Sequence, residues 1–554
     1  MTLKSKMTTV KEYTYPVVNM EMHLREMMKR LSDFEQQDVV NRIWHGDHTV
    51  WKHEPVEISN RLGWLQIPDR IEGSLNDLHG FAQEIREAGY HHVVLLGMGG
   101  SSLGAEVLAK SLGRGAGYPP LIVLDSTCSD WIASVVKSIE PGHTLFLVSS
   151  KSGTTGETLA LYHYFRSLLN RQTGQTQPGS NFVAITDAGT PLERLASDEG
   201  FRRTFINSED IGGRFSILSY FGLVPAALIG VDIIALVQRA TRMQESCAPC
   251  IKIFENPGVW LGTLLGSLAL HGHDKLTFII SPSVRSFGLW VEQLLAESTG
   301  KEGTGIIPVI DEPLVDQKYY GDDRVFVYLR MKGDINSATD EAVMRLEVAG
   351  HPIIQLEMED HYDLGAEFFR WEMAVAVAGA VLGINPFDQP DVQTAKDAAK
   401  QTLEAYKSSH DLPEIGSRDD LAQWLVEASP DSYLAIMAYI NQKPAIDSAI
   451  RDLRKIIMER YGIATTFGYG PRYLHSTGQL HKGGPDKGIF LQIVVDRMRD
   501  LQVPGQPYSF NLLTEAEAQG DYRALELLGR KIQRVHLCSS TGKEIRKLIP
   551  TLSR

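Results

Sequence analysis

Along the middle of the chain, short runs of near-continuous apolar residues alternate with longer segments of helical spacing. Residues 92–96, 120–125, 143–148 and 182–185 read as strands, and 105–112 as one of the helices between them. Strands without polar alternation, separated by helices, predict a parallel sheet covered on both faces. A second series follows from about residue 251. Its strands fall at 276–280, 305–309, 325–329 and 351–356, before a long helical run over 366–381. The last part, 411–554, offers strands near 432–439 and 488–495 and terminal helices.

The first 75 residues predict helices, with Leu24, Met27, Met28 and Leu31 on one face. The longest apolar stretch, 219–236, is interrupted by Gly222, Pro225, Gly230 and Asp232, which predicts a buried helix pair instead of a membrane span. At 554 residues the chain exceeds one ordinary core, and several domains are expected. Its net charge of -13 gives nucleic acid little long-range attraction, although a local anion pocket remains compatible with it. Four cysteines, Cys128, Cys247, Cys250 and Cys538, are too few for a dense disulfide framework. Together with an N-terminus lacking an apolar signal core, this points to a reducing cytoplasmic setting.

Candidate chemistry lies where strands empty into polar loops. The run 149–158 supplies two glycines, Lys151 and six hydroxyl side chains, a combination suited to surrounding a phosphate with short donors and backbone N–H groups. After the first strand comes Gly97-Met98-Gly99-Gly100-Ser101-Ser102-Leu103-Gly104. Its spacing differs from GxGxxG, so a nucleotide loop, another anion site and a structural turn all stay open, although Asp125 could imitate a ribose-binding acid. Arg214, beside Gly212 and Gly213, offers a fixed guanidinium fork to oxygen atoms, or a surface salt bridge. Glu297 stands near the end of a helical segment and reads as a pocket acid or as a cap. Gln389 and Lys396, seven residues apart around Pro390, fall on nearly the same helical face. Cys247-Ala248-Pro249-Cys250 lacks the strand-to-helix context of a redox pair.

In this order the motifs resemble the glucose-6-phosphate isomerase family, most closely the isomerase portion of fused transaldolase/phosphoglucose isomerase proteins. The motifs that carry the resemblance are 97–101, 150–155, 212–214, 296–301 and 385–396. It implies an α/β protein with two doubly wound parallel-sheet sugar-isomerase (SIS) domains and a C-terminal α/β extension. The expected division is an N-terminal helical segment at 1–75, SIS domains at 76–250 and 251–410, and the extension at 411–554. The transaldolase activity is expected to be absent. The resemblance further implies a cytoplasmic homodimer that interconverts glucose 6-phosphate and fructose 6-phosphate through a cis-enediol, without metal or other cofactor and without nucleic-acid or membrane partners.

Carried onto matching positions, the resemblance assigns Ser150, Ser152 and Thr155 to the phosphate, with Lys151 in the same positive environment. Gly100 and Ser101 form the neighbouring substrate wall, and Gln389 orients the sugar. Glu297 is the implied proton-transfer base, Arg214 the stabiliser of developing oxygen charge, and Lys396 a participant in ring opening. The family's ring-opening histidine is missing from its usual setting, where Val315-Asp316-Gln317-Lys318 stands. His361 is taken as its replacement, with His475, His351, His481 and no direct histidine role as alternatives. Competing functions are a non-catalytic sugar-phosphate-binding module, an isomerase that also takes mannose 6-phosphate, and a nicotinamide-dependent oxidoreductase using the first glycine loop.

Overall fold

The first apolar run forms strand β1 (His92–Gly97), followed by β2 (Leu121–Leu124), β3 (Thr144–Ser149), β4 (Phe182–Asp187) and β5 (Arg203–Asn207). In the computed structural model, which describes residues 8–10, 13–15, 17–174, 178–409, 415–416, 421–496 and 499–552, these strands form a parallel sheet of order β2-β1-β3-β4-β5. β1, β3 and β4 carry almost wholly buried side chains, as expected of strands covered on both faces.

The second series gives β6 (Lys275–Ile280), β7 (Ile307–Val309), β8 (Arg324–Met331) and β9 (Ile353–Met358), in the order β7-β6-β8-β9. The N-terminal segment, expected to be helical, also supplies the short strand Val17–Val18, which pairs antiparallel to β9 and closes that edge. A third parallel sheet contains β10 (Tyr433–Tyr439), β11 (Ala464–Tyr469), β12 (Gly488–Val495) and β13 (Lys531–Leu537), in the order β11-β10-β12-β13. All three sheets therefore share one winding: the first strand lies inside, the second moves to one side, and the third and fourth continue on the other. This is the doubly wound arrangement, whose crevice opens at the carboxyl ends of the first and third strands.

The first two sheets share one hydrophobic core, joined by the buried helices Tyr220–Leu228, Pro257–Leu270 and Leu364–Leu382. Residues 219–236 do form a helix pair, Tyr220–Leu228 and Ile233–Ser246. The third unit is held against both partners. Tyr433, Met437 and Phe490 pack with Ala296, Ile307 and Val309, whereas Phe510 and Leu513 join the core behind β1 and β3. Polar ties reinforce the seating. Buried Arg472 donates to Asp125 Oδ1 at 2.7 Å and pairs with Glu106 Oε2 at 2.9 Å, and Arg454 donates to the Ile310 carbonyl at 3.0 Å. Consequently the loop after β11 is delivered to the mouth of the first sheet.

Candidate active site

Two glycines decide which segments meet at that mouth. A Cβ on Gly100 would stand 2.1 Å from the Gly213 carbonyl oxygen, so only a residue without a side chain lets the loop after β1 touch the Arg214 turn. Gly99 adopts φ +55°, and a Cβ there would lie 2.7 Å from the His475 carbonyl oxygen. These approaches enclose a cleft of about 750 Å³ lined from all three sheet units.

At one end lies the loop between β3 and the helix Gly156–Thr173. Ser152, Thr154 and Thr155 line the cleft there with Lys151. Ser150 is buried beneath them, and its hydroxyl pairs with that of Thr155 at 2.9 Å. Ser150 thus shapes the loop, while the hydroxyls above it face the space. Thr155 stands at the N-terminal boundary of a helix whose first N–H groups and dipole favour an anion. Lys151 is ion-paired with Asp187 and donates to the Glu209 carbonyl at 3.2 Å. Burial raises the Asp187 carboxyl above its usual range, and Lys151 opposes that rise. Arg61, from the N-terminal segment, also reaches this cleft and was not foreseen from sequence.

The other end holds Glu297 in the last turn of the helix Phe287–Thr299, only 5% exposed. Arg214 Nη1 lies 3.3 Å from Glu297 Oε2, while its Nε donates to Ser298 Oγ at 2.7 Å. The remaining nitrogen donates to the carbonyls of Pro386 at 2.7 Å and Asp388 at 2.9 Å. The guanidinium is therefore fixed on four partners, which a lysine could not reproduce. Burial pushes the Glu297 carboxyl above its ordinary value, and Arg214 and the Gln293 amide pull it back. Lys301, buried behind them, donates to Asp388 Oδ1 and to its carbonyl, both at 2.6 Å. Burial, aided by the Arg214 charge, brings its ammonium down to about 8, with Asp388 opposing. Gln389, next to Asp388, lines the cleft, as do Gly100 and Ser101.

Among the described residues, the histidine that lines this cleft is His475, not His361. His475 comes from the 3-10 turn Arg472–His475 after β11, and its Nε2 lies 2.6 Å from Glu157 Oε1. Gln293 Nε2 donates to the His475 carbonyl at 2.9 Å and approaches Glu297 Oε1 at 3.4 Å, so one amide ties the two groups together. His361 instead opens the turn His361–Asp363 after β9, packed near the helix Ile233–Ser246 and apart from the cleft lining. The alternatives are also elsewhere. His351 contacts Gln317 at the start of β9, and His481 is buried against Tyr473 and Phe490, where desolvation brings it down to about 3. Lys396 lies in the helix Gln393–Ser409, and its side chain falls outside the described residues.

Asp125, the acid that would imitate a ribose ligand, is fully buried and engaged by Arg472 and Ser102. The nicotinamide reading therefore loses its acid. Among the described residues, the group that could hold a metal ion is His91, Glu140 and His143, at the amino ends of β1 and β3, away from the cleft. Within the cleft, a hydroxyl-rich helix terminus faces a buried carboxylate and guanidinium and a half-buried imidazole, an arrangement able to anchor a phosphate and move protons on the attached chain.

Residues 71–305 match the family model described as Phosphoglucose isomerase. The chain is 28% identical over 391 residues to a probable glucose-6-phosphate isomerase of Methanococcus maripaludis, covering 63% of this chain and 86% of that one. It is also 28% identical over 386 residues to a glucose-6-phosphate isomerase of Streptococcus pyogenes, covering 61% and 86%. A hypothetical protein of Thermus thermophilus shares the fold with TM-score 0.60 at 24% identity, over 70% of this chain and 99% of that one. A glucose-6-phosphate isomerase structure from Chlamydia trachomatis aligns with TM-score 0.55 at 20% identity, over 72% and 90%. The order of motifs, the doubly wound sheets and these similarities agree: the chain is similar to the phosphoglucose isomerase family, whose model it matches over residues 71–305.

Proposed function

We propose that this protein is an aldose-ketose isomerase that interconverts glucose 6-phosphate and fructose 6-phosphate, with Glu297 as the proton-transfer base. The observation that carries the reading is the placement of Glu297, Arg214 and His475 around one cleft whose far end is the hydroxyl-lined helix terminus. The phosphate sits at residues 152–156, and Lys151 and Arg61 supply positive charge nearby.

The pyranose opens first. His475, held by Glu157, gives a proton to the ring oxygen as the C1–O5 bond breaks, and the C1 hydroxyl proton leaves to the site's base or to water. Glu297 then removes the C2 proton, giving the cis-enediolate, whose oxygen charge lies against Arg214. Its acid form returns the proton to C1 as the proton on O2 passes to O1 and the C2 carbonyl forms, as reversibility of a single-base transfer requires. Burial that raises the Glu297 pKa makes it a stronger base for carbon than an exposed glutamate. Ser101 and Gln389 orient the hydroxyls in this reading, and Lys396 is kept as a ring-opening participant to be tested. The homodimeric state and the cytoplasmic location are proposed from the family resemblance.

A coupled assay on purified protein with glucose 6-phosphate, fructose 6-phosphate and mannose 6-phosphate tests the function. Turnover of the first pair is expected. Tight binding of all three without turnover would instead favour the non-catalytic sugar-phosphate module.

A further inference from the structure

A second cavity, of about 410 Å³, lies at the junction of the three sheet units on the other side of the catalytic wall. The helix Phe287–Thr299 presents Gln293 and Glu297 to the cleft and Leu289 and Glu292 to this cavity. The turn that carries His475 is divided likewise, with His475 facing the cleft and Arg472, Tyr473 and Ser476 lining the cavity. The two spaces are therefore separated by one helix and one turn, and both of these hold proposed catalytic groups.

Five cationic side chains line the cavity against three acids, so its balance favours an anion. Most of them already have partners: Arg285 pairs with Asp311 at 2.6 Å and Lys110 with Glu106 at 2.5 Å, for example. Two do not. Among the described residues, neither Arg451, exposed on the helix Pro444–Tyr461, nor Glu292 makes a hydrogen bond or ion pair, although both line this cavity. An unpartnered guanidinium and an unpartnered carboxyl that do not bridge to each other leave room for a ligand that satisfies both. Burial pushes the Glu292 carboxyl up to about 8, so at neutral pH it can both donate to and accept from a hydroxyl.

We propose that this cavity is a regulatory site for a small phosphorylated hydroxy acid or polyol, its anionic group on Arg451 and a hydroxyl on Glu292. Occupancy would act on the cleft through the adjacent residues Gln293 and His475. That consequence rests on the isomerase reading, whereas the binding does not.

Equilibrium dialysis of the full chain against 3-phosphoglycerate, with and without saturating fructose 6-phosphate, tests the site by a readout independent of turnover. One bound 3-phosphoglycerate per chain is expected to persist under fructose 6-phosphate, and Arg451→Glu, an exposed substitution, is expected to weaken it roughly tenfold or more. Inorganic phosphate, which lacks the hydroxylated body, is expected to bind roughly tenfold more weakly than 3-phosphoglycerate. Complete displacement by fructose 6-phosphate, unchanged binding in Arg451→Glu, or equal affinity for inorganic phosphate would each overturn the proposal.

Discussion

His475 Nε2 and Glu157 Oε1 lie 2.6 Å apart although 318 residues separate them in the chain. Glu157 belongs to the first turn after the hydroxyl-rich loop, and His475 to the turn after β11. The pair thus connects the phosphate end of the cleft to the third sheet unit. If the two act as one proton-transfer unit, their losses should not add. His475→Asn is expected to lower kcat about 10²-fold, Glu157→Gln to lower it less, and the double variant to be no worse than His475→Asn. Steady-state kinetics of the three proteins checks this, and multiplicative losses would refute the unit.

Gly100→Ala is expected to fold yet to work poorly. The new methyl would meet a backbone oxygen at 2.1 Å, which no rotamer change relieves, so the Gly213 turn must shift and carry Arg214 with it. Displacing a charge-stabilising group by about 1 Å costs roughly 10² in kcat/KM. The measurement is kcat/KM alongside a thermal melt. Full activity would mean that the close approach of these turns is dispensable.

Glu372 yields a stability prediction independent of the site. It is fully buried in the helix Leu364–Leu382, and among the described residues neither of its carboxyl oxygens has a partner. Burial alone raises its carboxyl well above the ordinary 4.5. Above 4.5 the unfolded chain has released this proton and the native protein still holds it, so the native state binds more protons and stability falls as pH rises. The slope is at most about 1.4 kcal/mol per pH unit, and it ends once pH passes the raised native value. Glu372→Gln removes the titration without changing shape. Its Tm advantage over the parent is therefore expected to grow from about pH 5 to about pH 7, and an advantage independent of pH would contradict the assignment.

Much of this architecture is legible in the chain because interior parallel strands, buried on both faces, appear as uninterrupted apolar runs. The strands that escape such a reading are edges: Arg203–Asn207, Ala464–Tyr469 and Lys531–Leu537. An edge strand with polar positions, such as Lys531, Gln533, Arg534 and His536, lacks that signature, and with two of its four strands hidden the third sheet's kinship to the others is hidden too. The loop motifs carrying Glu297, Arg214 and the hydroxyls are local and can be read directly. His475 is not, because its place in the cleft depends on how the third unit docks through Arg472, Asp125 and Glu106. The same applies to Lys151, whose partner Asp187 sits at the end of the neighbouring strand β4.

The proton chemistry assigned to Glu297 can be measured at the carbon itself. With fructose 6-phosphate deuterated at C1, or glucose 6-phosphate deuterated at C2, the protein in ordinary water should exchange label with solvent as it isomerises, because the enediolate passes its proton through one carboxyl. Glu297→Gln is expected to lose both isomerisation and exchange, by about 10³-fold or more, while still binding the sugar phosphate. Label exchange at the parental rate in Glu297→Gln would contradict the account, since another group would then be moving the proton.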